Sequence, residues 1–583
     1  MTAKIKHIIK NSLIAGTLLK ILAVIPPKYK KKSIKMLLLL FINSAFEMVG
    51  LAAFLPLFAI ILQPFIIQNH RIISKVYGFL GFSSENAFIL LLAGLIVVTI
   101  IVKNSASLLI IRSQIKFSLS LYQNFTNRLH QMYYSKGFAF FKNTNSNLIF
   151  RDVNTIPAAF ANNMVLPMFN LLNEIFILLM ILVSLLLYNA TSVILLVCTV
   201  LPVFILFYRW VKERALKLER KVNTLNPKLS QSIFQSIHGY VDVEITNTQP
   251  HFRKQISKQI GQIVKLNIQR SLYNAMPTKV IETGMVIAIF VITAYGLFFL
   301  PDRAGLGALL GLLALSAYRI LPSINRILIA LVSIKSYQYT FDVISGLKDF
   351  KPDAIQHQPV EFNSQITVNN LSFRFPDAEN DLLSHLNLTI KKGENIGIMG
   401  ASGSGKTTFM NLLLGFWQPT QGTISIDNSL LTAATVQSWR THIGYVQQDV
   451  YITDASAAEN VAFGIEKDKI DMRRVEQSLR QASLWKHIQS LPDGVETNIG
   501  ERGVRFSGGQ RQRIGIARAL YAGADVIFFD EATSALDSQT EMEITESIRS
   551  LADGKLTLVV IAHRETTLKY CSRIIKFHNG SIV

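Results

Sequence analysis

Eight consecutive residues, Gly400, Ala401, Ser402, Gly403, Ser404, Gly405, Lys406 and Thr407, have the types and spacing to hold the phosphates of a nucleotide. The glycines let successive backbone N–H groups turn onto phosphate oxygens. Lys406 adds a point charge, and the Thr407 hydroxyl, with Thr408 beside it, opens a helix where Mg²⁺ would sit. Apolar residues 395–399 predict a strand before the loop, and 409–414 a helix after it. A second segment, Asp525, Val526, Ile527, Phe528, Phe529, Asp530, Glu531, reads as a buried parallel strand whose two carboxylates fall at its carboxyl end. Asp530 is the expected Mg²⁺ ligand and Glu531 the expected base for the attacking water. A third, Phe506, Ser507, Gly508, Gly509, Gln510, starts a basic helix and is another anion site. One nucleotide does not need both, so the second is expected to complete the pocket of a partner subunit.

The elements that must carry this chemistry divide the chain. Of 583 residues, half are hydrophobic and 17% charged, which excludes disorder and small disulfide scaffolds. Residues 1–350 hold 36 basic and 12 acidic residues, net +24; residues 351–583 hold 23 and 26, net −3. That basic excess alternates with apolar runs, a pattern of membrane topology, not of nucleic-acid binding, and no nucleic-acid partner is expected. Six spans are predicted: Met36–Leu62, Ala87–Ile111, Met164–Leu187, Ser192–Tyr208, Val280–Leu300 and Leu306–Leu321. Basic loops after the second and fourth put both loops and the N-terminus in the cytoplasm. Residues 1–35 read as an uncleaved amphipathic elbow on the membrane surface, 36–345 as a transmembrane domain with long cytoplasmic helical extensions, 346–364 as a linker and 365–583 as a nucleotide-binding domain. The expected fold class is thus an α-helical six-span domain followed by an α/β phosphate-loop ATPase domain. Gly137 and Gly239 break the two long loops, either as ordinary tips or as sites of short transverse helices.

Residues 365–583 resemble the nucleotide-binding domain of ATP-binding cassette (ABC) transporters, with the motifs in the family's order. The resemblance implies ATP and Mg²⁺ as cofactors. It assigns Phe375 to stacking on adenine, where Tyr is usual, and Gln448 to Mg²⁺ and to relaying nucleotide state. Gln447 stands beside it where proline is common. It assigns Ser507, Gly508, Gly509 and Gln510 to the signature, with Phe506 in place of the usual Leu, and residues 500–503 to an exporter-specific segment ahead of it. Asp537 falls to the loop at the dimer interface and His563 to the γ-phosphate switch. Six spans plus one such domain resemble an exporter half-transporter, which implies a head-to-tail homodimer in the bacterial inner membrane, with the breaks near 138–145 and 237–243 as coupling helices.

Ionisable residues within the apolar runs are Glu47, Lys103, Glu174, Lys279, Glu282 and Arg319. Charge at membrane depth costs about 2.5–3.5 kcal/mol or more, so these are expected to face a cavity or one another. Lys103, Lys279 and Arg319 are the candidate substrate contacts, Arg319 first because no carboxylate lies within four positions of it. The alternative has Lys103 and Lys279 at an interface, with Glu174 or Glu282 neutralising one of them. Residues 316–326 and 275–277, with Glu282 and Glu47, resemble bacterial flippases for lipid-linked oligosaccharides, except that Thr278 holds what looks like an arginine position. That resemblance implies a polyprenyl-pyrophosphate glycolipid as substrate and a short helix within Gln63–Ser84. Export of another amphiphile, such as a lipid, drug or peptide, and an ATP-gated channel are the other readings, the last disfavoured by the intact Glu531 and His563.

Overall fold

The computed structural model describes residues 13–54, 57, 60–61, 71–79, 84–188, 190–299, 303–351, 357–500, 503–531, 542, 545–546, 549, 556–562 and 565–583. The chain forms two compact units, one of Met1–Ser135 with Thr144–Lys351 and one of Lys136–Asn143 with Pro352–Val583.

In the first unit, helix α1 (Leu13–Val24) precedes α2 (Pro27–Ala52), and a short α3 (Arg71–Phe79) lies within Gln63–Ser84, where one was expected. Then come α4 (Glu85–Ser135), α6 (Leu166–Tyr188), α7 (Ala190–His238), α9 (Gln249–Phe299) and α10 (Arg303–Ser336), interrupted by the short α5 (Gly137–Asn143) and α8 (Tyr240–Ile245). Five of the expected spans fall on α4, α6, α7, α9 and α10; Met36–Leu62 begins on α2 and runs past its end at Ala52, with residues 55, 56, 58, 59 and 62 outside the described residues. Among the described residues, four helical stretches are long and apolar enough to cross a membrane, or five if the bent pair Arg319–Ser336 and Thr340–Leu347 counts as one span. Much of Ser192–Tyr208 and most of Leu306–Leu321 have side chains outside the described residues. At 51 residues, α4 is roughly 75 Å long, more than twice a hydrocarbon core, as expected for a span continued beyond the membrane.

The C-terminal part of α4 is held by side chains along one face. Phe117, Leu121, Phe125, Leu129 and Tyr133 recur every four residues and are buried, so they line one face. Phe125 meets Phe160 edge-on at 5.5 Å, and Phe160 meets Phe341 in turn at 5.5 Å. Arg128, on the same stretch, donates to the carbonyls of Leu347 (2.8 Å) and Phe350 (3.3 Å), fixing the end of the unit. Both loop breaks carry short helices. Gly137 has φ +74°, a conformation that favours glycine, and a Cβ on Gly239 would lie 2.9 Å from the Gln235 carbonyl.

The second unit has two sheets. Strands β1 (Gln365–Phe373), β2 (Leu383–Lys391), β4 (Gln421–Ile426) and β5 (Ser429–Leu430) form an antiparallel sheet in the order β2-β1-β4-β5. Strands β3 (Asn395–Gly400), β6 (Ile443–Val446), β7 (Val526–Asp530), β8 (Thr557–Ile561), β9 (Arg573–His578) and β10 (Ser581–Ile582) form the other, ordered β10-β9-β3-β8-β7-β6 and parallel except for the edge pair β9–β10. Every residue of β7 is buried. Its alternation divides the core: Val526 and Phe528 pack with Phe409 and Met410 of α11 (Lys406–Leu413), whereas Ile527 and Phe529 pack with Ile514 and Ile516 of α12 (Gly508–Ala522). Burying each such side chain contributes about 1.5–3 kcal/mol. That core begins before β1, with Val360 and Phe362 buried in it. Segment α5 belongs to this unit because the Phe138 ring stacks on Phe416 at 4.8 Å and meets Trp417 edge-on at 6.0 Å.

Candidate functional site

Strand β3 ends at Gly400 and α11 begins at Lys406, so the loop between them lies at the carboxyl edge of the parallel sheet. Gly403 (φ +81°) and Gly405 (φ +98°) make its tight turns, and a Cβ on Gly405 would stand 2.5 Å from Leu383. Lys406 is buried, and its Nζ donates to the carbonyls of Gly400 and Ala401, both at 2.9 Å, which folds the side chain back over the loop. Burial lowers the Lys406 pKa, while Glu531 and Asp530 favour its charged form. The Ser404 hydroxyl is buried and makes no hydrogen bond among the described residues. Ser402 and Gly403 are exposed, and Thr408 is half-buried at the helix start.

On the neighbouring strand, Asp530 Oδ1 accepts from the Thr407 hydroxyl at 3.3 Å and Oδ2 from the Tyr445 hydroxyl at 3.2 Å. Burial raises the pKa of Asp530, the Tyr445 and Thr407 hydrogen bonds opposing it. Burial, then Asp530, likewise raises that of Tyr445. A hydroxyl beside a carboxylate is the hard-oxygen pairing that Mg²⁺ takes, so these residues fit the ion. Glu531 follows in the left-handed region (φ +51°), its N–H bonded to the Ile561 carbonyl at 3.1 Å, which turns the chain sharply at the strand's end. Phe375 is held edge-on by Phe373 (5.0 Å) and Trp417 (5.4 Å). Ser507 caps α12 through a reciprocal pair with Gln510, leaving Gly508 and Gly509 in the first turn. Phe506 is buried and meets His487 edge-on, so the larger ring is accommodated by the core.

The structure thus brings together Gly400–Thr407, Asp530 and Glu531. Asp537, His563, Glu501 and Arg502 lie outside the described residues. Two contributors escaped the sequence reading. Tyr445 carries no signal of its own in the sequence; its register opposite Phe528, two residues before Asp530, is what aims its hydroxyl. Gln512, whose Nε2 donates to the carbonyls of Gln447 (3.0 Å) and Gln448 (2.6 Å), had no signal beyond its place in α12.

In the helical unit, the ionisable residues assemble by pairs. Lys103 of α4 meets Glu47 of α2 at 2.9 Å, its stem packed over Gly50, where a Cβ would come within 2.8 Å. Glu174 of α6, its side chain 3% exposed, accepts from Ser323 (2.6 Å) and Arg326 (2.8 Å) of α10. Arg319 stands between, 3.6 Å from Glu47 and 3.8 Å from Glu174. Its expected freedom from carboxylates therefore holds along the chain but not in space. Each carboxylate makes a shorter bond elsewhere, and the buried Arg319 Nε has no hydrogen-bond partner among the described residues. Lys279 does not join this cluster. It is exposed and paired with Glu282 at 3.1 Å one turn along α9, as the neutralised alternative expected.

A phosphate-binding ATPase unit and membrane-length helices in one chain define an ATP-driven membrane transporter, and the comparisons agree. Residues 383–534 match the family described as ABC transporter. The chain is similar to the ATP-dependent lipid A-core flippase of Cupriavidus metallidurans CH34, 31% identical over 68% of this chain and 67% of that one. It is similar also to that of Bordetella avium 197N, 30% identical over 69% and 68%. Among solved structures, a bacterial Atm1-family ABC exporter with ATP bound covers 95% of the chain and 94% of its own at a TM-score of 0.71 and 20% identity, a likeness of fold. The chain belongs to the ABC transporter family, as an ATP-hydrolysing, integral-membrane half-transporter of the exporter type.

Proposed function

We propose that the protein is a lipid flippase that moves a polyprenyl-pyrophosphate-linked oligosaccharide from the cytoplasmic to the outer leaflet of the bacterial inner membrane. The observation that carries this reading is the cluster of Lys103, Arg319 and Arg326 against Glu47 and Glu174: three cations to two carboxylates, set within apolar helices. An excess cation there suits a phosphorylated head group whose tail stays in lipid, and Arg319, whose Nε makes no hydrogen bond among the described residues and pairs with Glu47 only at 3.6 Å, is the donor least committed to the protein. The name of the relatives favours a second cargo of the same kind, a lipid A-core glycolipid.

Transport is driven by ATP held on Gly400–Thr407 with Phe375 against the base, while Glu531 takes the proton of the attacking water. Mg²⁺ would be held by Thr407, Asp530 and Gln448, and when bound it supplies charge for the developing phosphate. His563 and Asp537 complete the site by the family's pattern. Two copies act as a homodimer, the Ser507–Gln510 end of one facing the nucleotide of the other. The exposed Ile237, Tyr240, Val241 and Ile245 around α8 support this, being apolar and without cover in one copy. The basic loops support a cytoplasmic N-terminus and ATPase unit.

Turnover measured in lipid nanodiscs tests the cargo. We expect the linked oligosaccharide to stimulate it, Arg319→Ala to abolish the stimulation and a drug or peptide panel to do nothing. Stimulation by lipid A-core alone moves the cargo to the second reading, and stimulation by drugs or peptides alone ends the flippase assignment. The metal ligands have their own test. Tyr445→Phe removes one bond to Asp530 and is expected to raise the Mg²⁺ concentration for half-maximal turnover about tenfold. An unchanged Mg²⁺ requirement would mean that Tyr445 does not orient that carboxylate.

A further inference from the structure

Gln512 lies within the second turn of α12, and its side chain is 5% exposed. Both hydrogens of its amide nitrogen are spent on consecutive carbonyls of one segment, Gln447 and Gln448, while its own oxygen is buried without a partner among the described residues. An orphaned buried oxygen costs about 1–3 kcal/mol, so stability alone does not account for an amide here. What the amide does is hold two adjacent peptide groups in place, just where Gln447 stands instead of a residue with a ring-fixed φ. Two turns further along the same helix, Arg518 donates through Nε to the Asn460 carbonyl (2.9 Å) and through Nη2 to that of Tyr451 (3.1 Å). The chain from 447 to 460 therefore hangs on α12 at both ends.

We propose that Gln512 is a positioning residue for ATP hydrolysis, fixing the backbone at 447–448 so that the Gln448 side chain is presented in one place to the metal and the attacking water. This rests on the reading of Gln448 given above. Because Ser507 caps the same helix, the signature end and the segment bearing Gln448 move as one body, and a shift at one is delivered to the other without passing through bound nucleotide.

The test compares the full-length protein with Gln512→Met, which keeps an unbranched side chain of similar length and removes both donors together with the orphaned oxygen. Hydrogen exchange of the amides at 447–450 is expected to quicken about tenfold, and kcat to fall about tenfold with the KM for ATP within about twofold. Adding Gln447→Pro stiffens the segment from within and is expected to restore most of the lost kcat. Unchanged exchange and kcat would overturn the proposal. So would a general rise in exchange across the ATPase unit with a lowered melting temperature and no rescue, because Gln512 would then be merely structural. Gln448→Ala separates the two readings. If it leaves kcat unaltered, the role of Gln448 falls; if it lowers kcat and Gln512→Met does not, only the role of Gln512 falls.

Discussion

Glu531→Gln is expected to lower ATP turnover by about 10²–10⁴ while leaving ATP affinity intact or tightened. The amide has the shape of the carboxylate and suffers the left-handed φ of +51° no worse, so the sharp turn after β7 and its bond to the Ile561 carbonyl survive. What is lost is the ability to accept a proton. Binding is spared because the residues that meet the phosphates, Gly400–Thr407, are held by their own bonds, those from Lys406 to Gly400 and Ala401 among them. The change also removes a negative charge that Lys406 feels, leaving the ammonium freer for the phosphates. Turnover and nucleotide affinity measured on one preparation decide the matter: a Glu531→Gln variant that hydrolyses near the wild-type rate would remove Glu531 as the base.

The second large effect belongs to the helical unit. Glu174→Gln is expected to destabilise it by about 1.5–3 kcal/mol, since the buried carboxylate that accepts from Ser323 and from the half-exposed Arg326 loses its charge, and Arg319 loses one of its two countercharges. Glu174 is the better choice than Glu47 because it is the more deeply buried and answers to Ser323 and Arg326 in hydrogen bonds and to Arg319 at 3.8 Å. An amide keeps one acceptor for Ser323 but gives the guanidinium groups no countercharge. Combining it with Arg326→Gln should recover part of the loss, and a thermal-unfolding cycle over the four proteins measures the coupling. Additive losses would show that Arg326 and Glu174 do not stabilise one another.

The two sites differ in how far they could be read from residues alone. The phosphate loop is contiguous, its chemistry follows from spacing, and the carboxylates at the end of β7 announce themselves because an apolar strand cannot solvate them. The charge cluster was legible as a list of costly residues but not as an assembly. Glu47 and Lys103 are 56 positions apart, and Glu174 and Arg326 are 152 apart, so only helix packing pairs them. Where the partner was a local one, as with Lys279 and Glu282, the sequence offered the pairing as an alternative and the helix realised it. Gln512 and Tyr445 were silent because their partners, backbone carbonyls and a strand-end carboxylate, are chosen by register and not by residue type.

Helix α4 runs for 51 residues without a proline and with a single glycine, Gly94, before the turn at Gly137 leads directly into α5. A rod of that length is a gear. A tilt of about 5° about Glu85 would carry Ser135 through roughly 6–7 Å, so angstroms of travel at Ser135 correspond to only a few degrees of tilt. The trade runs in both directions: the end of the rod near Glu85 gains force for what it gives up in distance.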